Sequence, residues 1–532
     1  MTMTLLLKSK AVFTGLANEP HAATIVVNGQ KIEAVLPYDA EIEGARTIDV
    51  GERLITPGLH DAHLHLMFGS MYEHASVNLD QAKNAREAIE ILKAFSDKNP
   101  DDEWIIGYGW DQTNWDVNEF PHRSDIDAFI TDRPVILFHA EGHYTWLNTK
   151  GLEVANITKD TVAPPFGEIE KDENGELTGI LIETASNLAS EYALDFPHER
   201  RLELFDQFLK LAARLGITSV NDLFASFFEK LNNFSIYGEF EQRGQLTTRI
   251  HLYPQLEEDL TRARQLREQF HSDKLQLAGL KEFIDGVVTG HTALMIDPYV
   301  DRPETRGEPT KSKEQFQQLV TQADAEGFQI RFHTIGDGAV RFGLDLFEEA
   351  QKQNGTRDSR HALEHIEVVS PTDIPRFRQL GVIPSVQPSH LALMPRESHT
   401  TRVTEEKYPY IYNIKTLQDS VDHIAFSTDF PITPLDPMKE LYYAITRNDF
   451  NGEPWNGKEA VSLADALRGY TLGAAYSTHR EQELGTIEPG KFADFAIFES
   501  NLFDLTPEQV KEATVSMTIM DGNVVYDRDD LS

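Results

Sequence analysis

The 532-residue sequence predicts an α/β protein: a (β/α)8 TIM barrel with a small β-sandwich domain formed from both termini and a large insertion near the active-site mouth. Three observations predict this fold. Short β-rich runs with hairpin turns occupy both ends of the chain. Between them, eight apolar strand-like runs alternate with amphipathic stretches, the pattern of a (β/α)8 barrel. The first two intervals are far longer than a usual βα connection and indicate insertions.

The two chain ends share the same β-rich texture. Asn28–Gly29 is a hairpin-turn signal near the N-terminus, and Asp521–Gly522 is its counterpart near the C-terminus. We therefore expect residues 1–56 and 480–532 to form one β-sandwich domain around a barrel of residues 57–479. Insertions into this barrel are expected at about 66–133 and 141–215.

The eight predicted barrel strands begin with the apolar run LITPGLHDAHLHL. They are residues 54–66, 134–140, 217–222, 277–286, 328–336, 361–367, 381–388 and 423–429. Because the carboxyl ends of barrel strands meet at one face, polar residues that end these runs are expected to lie close together.

Composition narrows the classes of function. The chain carries 49 basic and 86 acidic residues, a formal charge of -37, so we expect neither nucleic acid nor a membrane as partner. It has no cysteine, so a metal would be held by His, carboxylate or modified Lys. No apolar run reaches about 18 residues, and the N-terminus resembles a first strand and not a signal peptide. A cytoplasmic location is expected.

The first run ends in His63-Leu64-His65. Residues two apart on a strand point to the same face, so both imidazoles, and Asp61 before them, would project together. Taken alone, this pair is explained equally well as an ordinary polar strand end, because the chain has 19 histidines. Later runs change that balance. Their carboxyl ends or interiors carry Lys281, His333, His365 and Asp429, and together with the first pair these residues indicate one shared site.

These blocks resemble the amidohydrolase superfamily, and more narrowly the YtcJ-like metal-dependent hydrolases (amidohydrolase family 3), which include N-substituted formamide deformylase. The resemblance runs nearly end to end. It is carried by LITPGLHDAHLH, HTIGDGAV, LEHIE, FSTDFP and GTIEPGKFADFAIF, among other blocks. It implies a hydrolase that cleaves an amide-type, not peptide, carbon–nitrogen bond of a small-molecule substrate with metal-activated water.

The resemblance also implies roles for six residues. One or two divalent ions per chain, expected to be zinc, would be held by His63, His65, Lys281, His333, His365 and Asp429. The lysine would act as a carboxylated bridge between the ions. Asp429 would also be catalytic, as the carboxylate that moves the proton of the attacking water.

The sequence leaves the role of Lys281 and the identity of the substrate contacts open. Lys281 could instead form an ordinary ion pair with Asp285 or Glu282, which would leave a single-metal site, and Glu183 is a rival acidic group. Candidate substrate contacts are His143, His291 and Trp110, and the weaker candidates are Gln387 and His390, which lie past the end of the seventh run. Trp110 could instead belong to the core of the insertion, which is the favoured interpretation for any single tryptophan there.

The resemblance does not predict the substrate specificity of this chain. The family more often has Asp-Gly-His where this chain has residues 141–143, and often has arginine where His291 stands.

Three other functions compete with amide hydrolysis. An esterase or lactonase would use the same apparatus. A deaminase of this superfamily would show a His-x-x-Glu pattern near the fifth run, and residues 328–340 contain none. A non-catalytic regulatory protein would lack ligands, whereas the set is complete. The large exposed faces of a barrel are compatible with a homodimer, although no residue pattern indicates one.

Overall fold

The computed structural model describes residues 4–140, 144–165, 167–224, 231 and 233–529. The strands are β1 (Leu5–Val12), β2 (His21–Asn28), β3 (Lys31–Pro37), β4 (Arg46–Asp49), β5 (Leu54–Pro57), β6 (Leu59–Leu64), β7 (Ser76–Asn78), β8 (Ile105–Trp110), β9 (Val135–His139), β10 (Tyr144–Leu147), β11 (Gly167–Lys171), β12 (Leu177–Glu183), β13 (Ile217–Leu223), β14 (Arg249–Tyr253), β15 (Leu275–Leu277), β16 (Gly279–Phe283), β17 (Gln329–Thr334), β18 (Ala362–His365), β19 (Ile383–Val386), β20 (Ala425–Phe426), β21 (Phe495–Phe498), β22 (Val515–Met520) and β23 (Asn523–Asp527).

The α-helices fill most of the intervals between these strands. They are α1 (Leu66–His74), α2 (Ala85–Lys98), α3 (Arg123–Asp127), α4 (Thr149–Val154), α5 (Asn187–Ala193), α6 (His198–Arg214), α7 (Ser235–Gln242), α8 (Thr261–Gln269), α9 (Lys313–Ala325), α10 (Asp337–Asn354), α11 (Ile374–Leu380), α12 (Glu397–Thr400), α13 (Ile414–Ser420), α14 (Pro437–Thr446), α15 (Leu463–Arg468), α16 (Ala474–Ser477) and α17 (Pro507–Lys511). Across the described ranges, none of them has the length and apolar character needed to cross a membrane.

The chain divides into two compact units. The first comprises Met1–Leu66, Leu209–Phe224 and Tyr237–Ser532, and the second comprises Met67–Phe208 and Ala225–Ile236. The second unit contains a six-stranded sheet with the order β11-β12-β10-β9-β8-β7. Its buried core includes most of the tryptophans of the chain. The domain limits expected from sequence stay a prediction.

Strands from both ends of the chain share one eight-stranded sheet in the first unit. Its order is β23-β22-β21-β5-β1-β2-β3, with β4 paired to β1. Both predicted hairpins are confirmed: β2 pairs with β3 and β22 with β23, each antiparallel. Asp521 and Gly522 both have positive φ, as a tight two-residue turn between twisted strands requires. The β-sandwich stays a prediction.

Two parallel sheets form the rest of the first unit. One has the order β15-β14-β13-β6 and the other β16-β17-β18-β19-β20. Beyond β20, the backbone N–H of Asp429 donates to the carbonyl of His63 (2.9 Å), so the last parallel strand ends beside the first. The carboxyl ends of β6, β17, β18 and β20 therefore lie where a shared site can form.

The predicted strand at 134–140 was assigned to the wrong sheet. Residues 135–139 do form β9, but this strand pairs with β8 and β10 in the second unit. The strand that pairs directly with β6 is β13, and the sequence did not predict the next parallel strand, β14 (Arg249–Tyr253), which pairs with β13. Sequence could not separate the two because β9 is apolar, as a buried parallel strand should be, whereas β14 is buried despite an arginine and a histidine.

That buried arginine has a structural explanation. Arg249 on β14 contacts Asp494 (Nε–Oδ2 2.8 Å) and Asp521, and its guanidinium lies 3.8 Å from the ring centroid of Phe492. Both carboxylates are buried and flank strands of the eight-stranded sheet. This ion cluster therefore ties that sheet to the parallel sheet through β14.

We expect Arg249→Met to lower the free energy of unfolding by about 3–5 kcal/mol, because it leaves the buried Asp494 carboxylate without its cation, whereas Asp521 keeps Lys274 at 2.9 Å. Urea unfolding of the variant measures this loss. The matched control is Arg378→Met, which breaks the exposed pair with Asp422 and should cost at most about 1 kcal/mol. Equal effects of the two substitutions would contradict the role given to the cluster.

Candidate metal centre

His63 and His65 project from the end of β6 with their ring tautomers fixed. His63 Nδ1 lies 2.8 Å from Glu364 Oε2, and His65 Nδ1 lies 2.7 Å from the carbonyl of Leu223. Because each Nδ1–H donates to an oxygen, each Nε2 keeps its lone pair. The two Nε2 atoms lie 3.3 and 3.2 Å from the same atom, Asp429 Oδ1.

Asp429 reaches this position because the chain turns sharply after β20. It has φ 58°, a left-handed conformation that non-glycine residues adopt mainly at constrained sites. The turn is held by Asp61, which accepts hydrogen bonds from the Thr428 hydroxyl (2.7 Å) and the His63 backbone N–H (3.1 Å). Burial raises the pKa of Asp61 to about 7. Asp61 thus orients the backbone on both sides of the site.

His333 and His365 complete a group of four imidazoles. Their ring centroids are 4.5 Å apart, and His365 lies 5.0 Å from the ring of His63. His365 Nδ1 contacts Gln387 Oε1 at 2.8 Å, and His333 Nε2 donates to the carbonyl of Gly286 at 3.1 Å. Burial lowers the pKa of His333 to about 3 and of His63 to about 4, so both rings are neutral and able to bind a cation.

Lys281 on β16 is fully buried beside this group. Within the described ranges, its Nζ has neither a hydrogen-bond nor an ion-pair partner. The Asp285 carboxylate instead accepts backbone N–H groups, including that of Gly336 at 2.9 Å, and Glu282 pairs with Lys311 at 2.9 Å. The ion pair that the sequence left open is therefore not formed. Burial lowers the pKa of Lys281 to about 8.

Two further charged residues orient the site, and sequence reasoning did not find them. Arg331 Nη1 lies 3.0 Å from Glu364 Oε1, and Glu364 in turn holds His63. Burial opposes ionisation of Glu364, but Arg331 and His63 outweigh it and lower its pKa to about 2. Arg331 had a usable signal, since it stands two residues before His333 on one strand face. Glu364 gave no such signal in the sequence. Alternation along a regular strand would place Glu364 and its neighbour His365 on opposite faces, but His365 adopts a left-handed φ of 73°.

The structure places the predicted substrate contacts in different surroundings. Gln387 bridges His365 and the Ser427 hydroxyl (2.8 Å), which is the arrangement of a positioning residue. His291 Nε2 lies 2.9 Å from Asp301 Oδ2. His143 lies outside the described residues.

Trp110 is completely buried in the core of the second unit, where its indole N–H donates to the Leu137 carbonyl (2.9 Å). This burial gives no support to a substrate contact and matches the alternative of a core residue.

The residues present fit a divalent cation. His63 Nε2, Lys281 Nζ and Asp429 Oδ1 are buried polar atoms with no hydrogen-bond partner in the part of the chain that the structure describes. Such atoms are costly unless something binds them. Donor atoms of His63, His365 and Asp429 all lie within 4.8 Å of one another. Neutral nitrogen and carboxylate oxygen are suitable ligands for zinc and similar ions.

Known proteins are similar to this chain over nearly its whole length. The sequence profile described as "Amidohydrolase family" matches residues 46–526. Protein LONG AFTER FAR-RED 3 of Arabidopsis thaliana is 28% identical over 98% of this chain and 91% of its own. The putative amidohydrolase YtcJ of Bacillus subtilis is 26% identical over 95% of this chain and 98% of its own. N-substituted formamide deformylase of Arthrobacter pascens is 24% identical over 95% of each chain.

A solved structure shows the same relationship. The crystal structure of an uncharacterized metal-dependent hydrolase from Pyrococcus horikoshii matches with a TM-score of 0.80 and 26% identity. The match covers 98% of this chain and 100% of the other. The family and this neighbour indicate an α/β fold of TIM-barrel type and a divalent metal. The chain therefore belongs to the amidohydrolase family and is a metal-dependent hydrolase that acts on carbon–nitrogen bonds.

Proposed function

We propose that this enzyme hydrolyses an amide-type, non-peptide carbon–nitrogen bond of a small molecule, with Asp429 as the proton carrier. One observation carries the proposal: a buried carboxylate lies 3.2–3.3 Å from the lone-pair nitrogens of the two His-x-His imidazoles, beside a buried lysine whose Nζ has no hydrogen-bond partner among the described residues. This arrangement places a base and a set of cation ligands at one point.

The ligands we propose for one or two zinc ions are the six residues predicted from sequence. They are His63, His65, Lys281, His333, His365 and Asp429. Lys281 would serve as its carbamate, formed when its neutral amine adds carbon dioxide and releases a proton, because an ammonium group repels cations. Among the described residues its Nζ has no hydrogen-bond partner, which supports this modification. A bound ion supplies Lewis acidity, which activates water and polarises the scissile carbonyl.

Asp429 would perform both proton transfers of the reaction. Its carboxylate accepts a proton from the attacking water as the new carbon–oxygen bond forms. It then delivers that proton to the leaving nitrogen as the carbon–nitrogen bond breaks, which yields a carboxylic acid and an amine. The backbone bond from Asp429 to His63 and the Asp61–Thr428 contact keep this carboxylate in place through both steps.

Glu364 should control metal affinity through His63. We expect Glu364→Gln to weaken metal binding by about 10–100-fold, the usual cost of losing a carboxylate that orients a ligating histidine. Competition with a fluorescent chelator measures this change. Glu348→Gln, an exposed change on α10, is the matched control and should bind metal like the unaltered protein. Unchanged affinity in Glu364→Gln would remove His63 from the ligand set.

A substrate screen tests the proposed activity directly. Small N-formyl and N-acyl amines, together with matched esters and lactones, are offered to purified protein with added zinc or manganese. We expect turnover of amides at rates above those of the matched esters. Preferential cleavage of esters would instead favour the hypothesis of an esterase, and release of ammonia from heterocyclic amines would favour a deaminase.

A further inference from the structure

Arg447 is a buried cation whose guanidinium has no hydrogen-bond partner in the part of the chain that the structure describes. It follows α14, and its side chain is 0% exposed. All three guanidinium nitrogens lack a hydrogen-bond partner within the described ranges. A guanidinium offers five N–H donors and stays charged in proteins, so leaving all of them unsatisfied is strongly unfavourable. Something outside the described side chains must satisfy this group.

Two carboxylates could in principle pair with Arg447, Glu459 through its charge and Asp449 through its place in the sequence, but both bind other groups. Glu459 accepts hydrogen bonds from the backbone N–H (2.8 Å) and hydroxyl (2.7 Å) of Thr416. Asp449 pairs with Arg396 and accepts the backbone N–H of Glu453. Neither carboxylate comes within ion-pair distance of Arg447, so the positive charge is opposed only from further away.

The backbone around Arg447 explains its position but not its missing partners. Arg447 adopts a left-handed φ of 62° and its N–H donates to the Tyr443 carbonyl (3.0 Å), which ends the helix. The dipole of α14 favours a cation at this end. It supplies no directed acceptor for the guanidinium, however. Burial lowers the pKa of Arg447 to about 10, with Glu459 and Tyr412 opposing the change, so the group is still charged at neutral pH.

We propose that Arg447, with Tyr412 beside it, forms a buried binding site for one small anionic group, a carboxylate or a halide. A planar guanidinium matches a carboxylate through two parallel hydrogen bonds and also binds a spherical anion. Tyr412 is buried in an aromatic cluster with Trp455 and His399, with ring centroids 5.7 and 5.3 Å away. Burial of this cluster away from water strengthens the attraction between the guanidinium and an anion.

Polar contacts link this site to the candidate metal centre. The Tyr412 hydroxyl lies 3.5 Å from His399 Nε2, which lies 2.8 Å from Glu367 Oε2. Glu367 Oε1 is 3.9 Å from His390 Nδ1, and His390 Nε2 is 3.8 Å from Asp429 Oδ2. The experiment below separates two sources of the bound group: a free small anion, and the carboxylate arm of a molecule that occupies the metal centre.

Thermal unfolding of the full-length protein tests the site without any need for turnover. At constant sodium concentration, sulfate is replaced by chloride, bromide or formate. We expect a saturable rise in Tm, because a ligand that binds only the folded state stabilises it. Arg447→Met should abolish the saturable part. Arg447→Lys, which keeps the charge if the first variant folds poorly, should need at least about tenfold more anion.

Two controls make the result decisive. Arg378→Met controls for the loss of an arginine elsewhere, because Arg378 is exposed, and it should respond like the unaltered protein. A crystal grown in bromide should show an anomalous peak at the Arg447 guanidinium. An equal saturable response in Arg447→Met, or water alone at the guanidinium in bromide crystals, would overturn the proposal.

A carboxylate series separates the two sources. A rise in Tm that stops at formate identifies a closed site for a free anion, whereas a rise that continues through acetate, propionate and butyrate identifies a site for a carboxylate arm. None of these experiments measures hydrolysis, so a negative result would not bear on the proposed hydrolase activity.

Discussion

Asp429→Asn should lose at least about 10³-fold in kcat while it keeps its metal, because a positioned acid–base group commonly contributes 10²–10⁴-fold and this residue serves both transfers. The amide retains the shape and the carbonyl oxygen of the carboxylate but cannot take up a proton. Steady-state kinetics on a substrate found in the screen, with metal analysis of the same preparation, measures both effects.

Asp422→Asn is the matched control for this prediction. It removes an exposed carboxylate seven positions earlier, on the same approach to β20, and should leave kcat unchanged. Full turnover in a metal-loaded Asp429→Asn enzyme would show that another group carries the proton.

Lys281→Ala should lose metal and at least about 10²-fold in turnover, since a Lewis acid at the scissile carbonyl contributes several kcal/mol. The alanine leaves a buried space where the carbamate would sit. Formate, acetate or bicarbonate can occupy that space and supply the missing carboxylate oxygens. We therefore expect partial recovery of both metal content and activity when these ions are added.

Lys311→Ala controls for the loss of a lysine near the same sheet, because Lys311 pairs with Glu282 and is partly exposed. It should bind metal normally. A fully active Lys281→Ala enzyme with one metal would show that the site is mononuclear and that the lysine carries no carbamate.

The sequence predicted that His63 and His65 lie together, as they do, but it did not predict the strand order. Residue spacing along one strand placed His63 and His65 together, because alternation on β6 depends only on local backbone geometry. Assigning β9 to the barrel failed because two buried sheets with similar apolar strands occur in one chain. Hydrophobicity reports that a strand is buried, but it does not report which sheet the strand joins.

The parts of the site that sequence did not reveal depend on long-range pairing or on unusual backbone. Glu364 contacts His63 across 301 residues, and its neighbour His365 leaves the regular strand geometry that alternation assumes. Arg447 shows the same limit, since its lack of a hydrogen-bond partner among the described residues depends on the contacts that Glu459 and Asp449 make elsewhere. Such contacts become visible only when the chain is folded.

Removal and return of the metal test the central account most directly. Protein treated with a strong chelator and freed of it should show no turnover of its amide substrate, and zinc should restore full turnover after one to two equivalents per chain have bound. Undiminished turnover by protein shown to be metal-free would contradict the account.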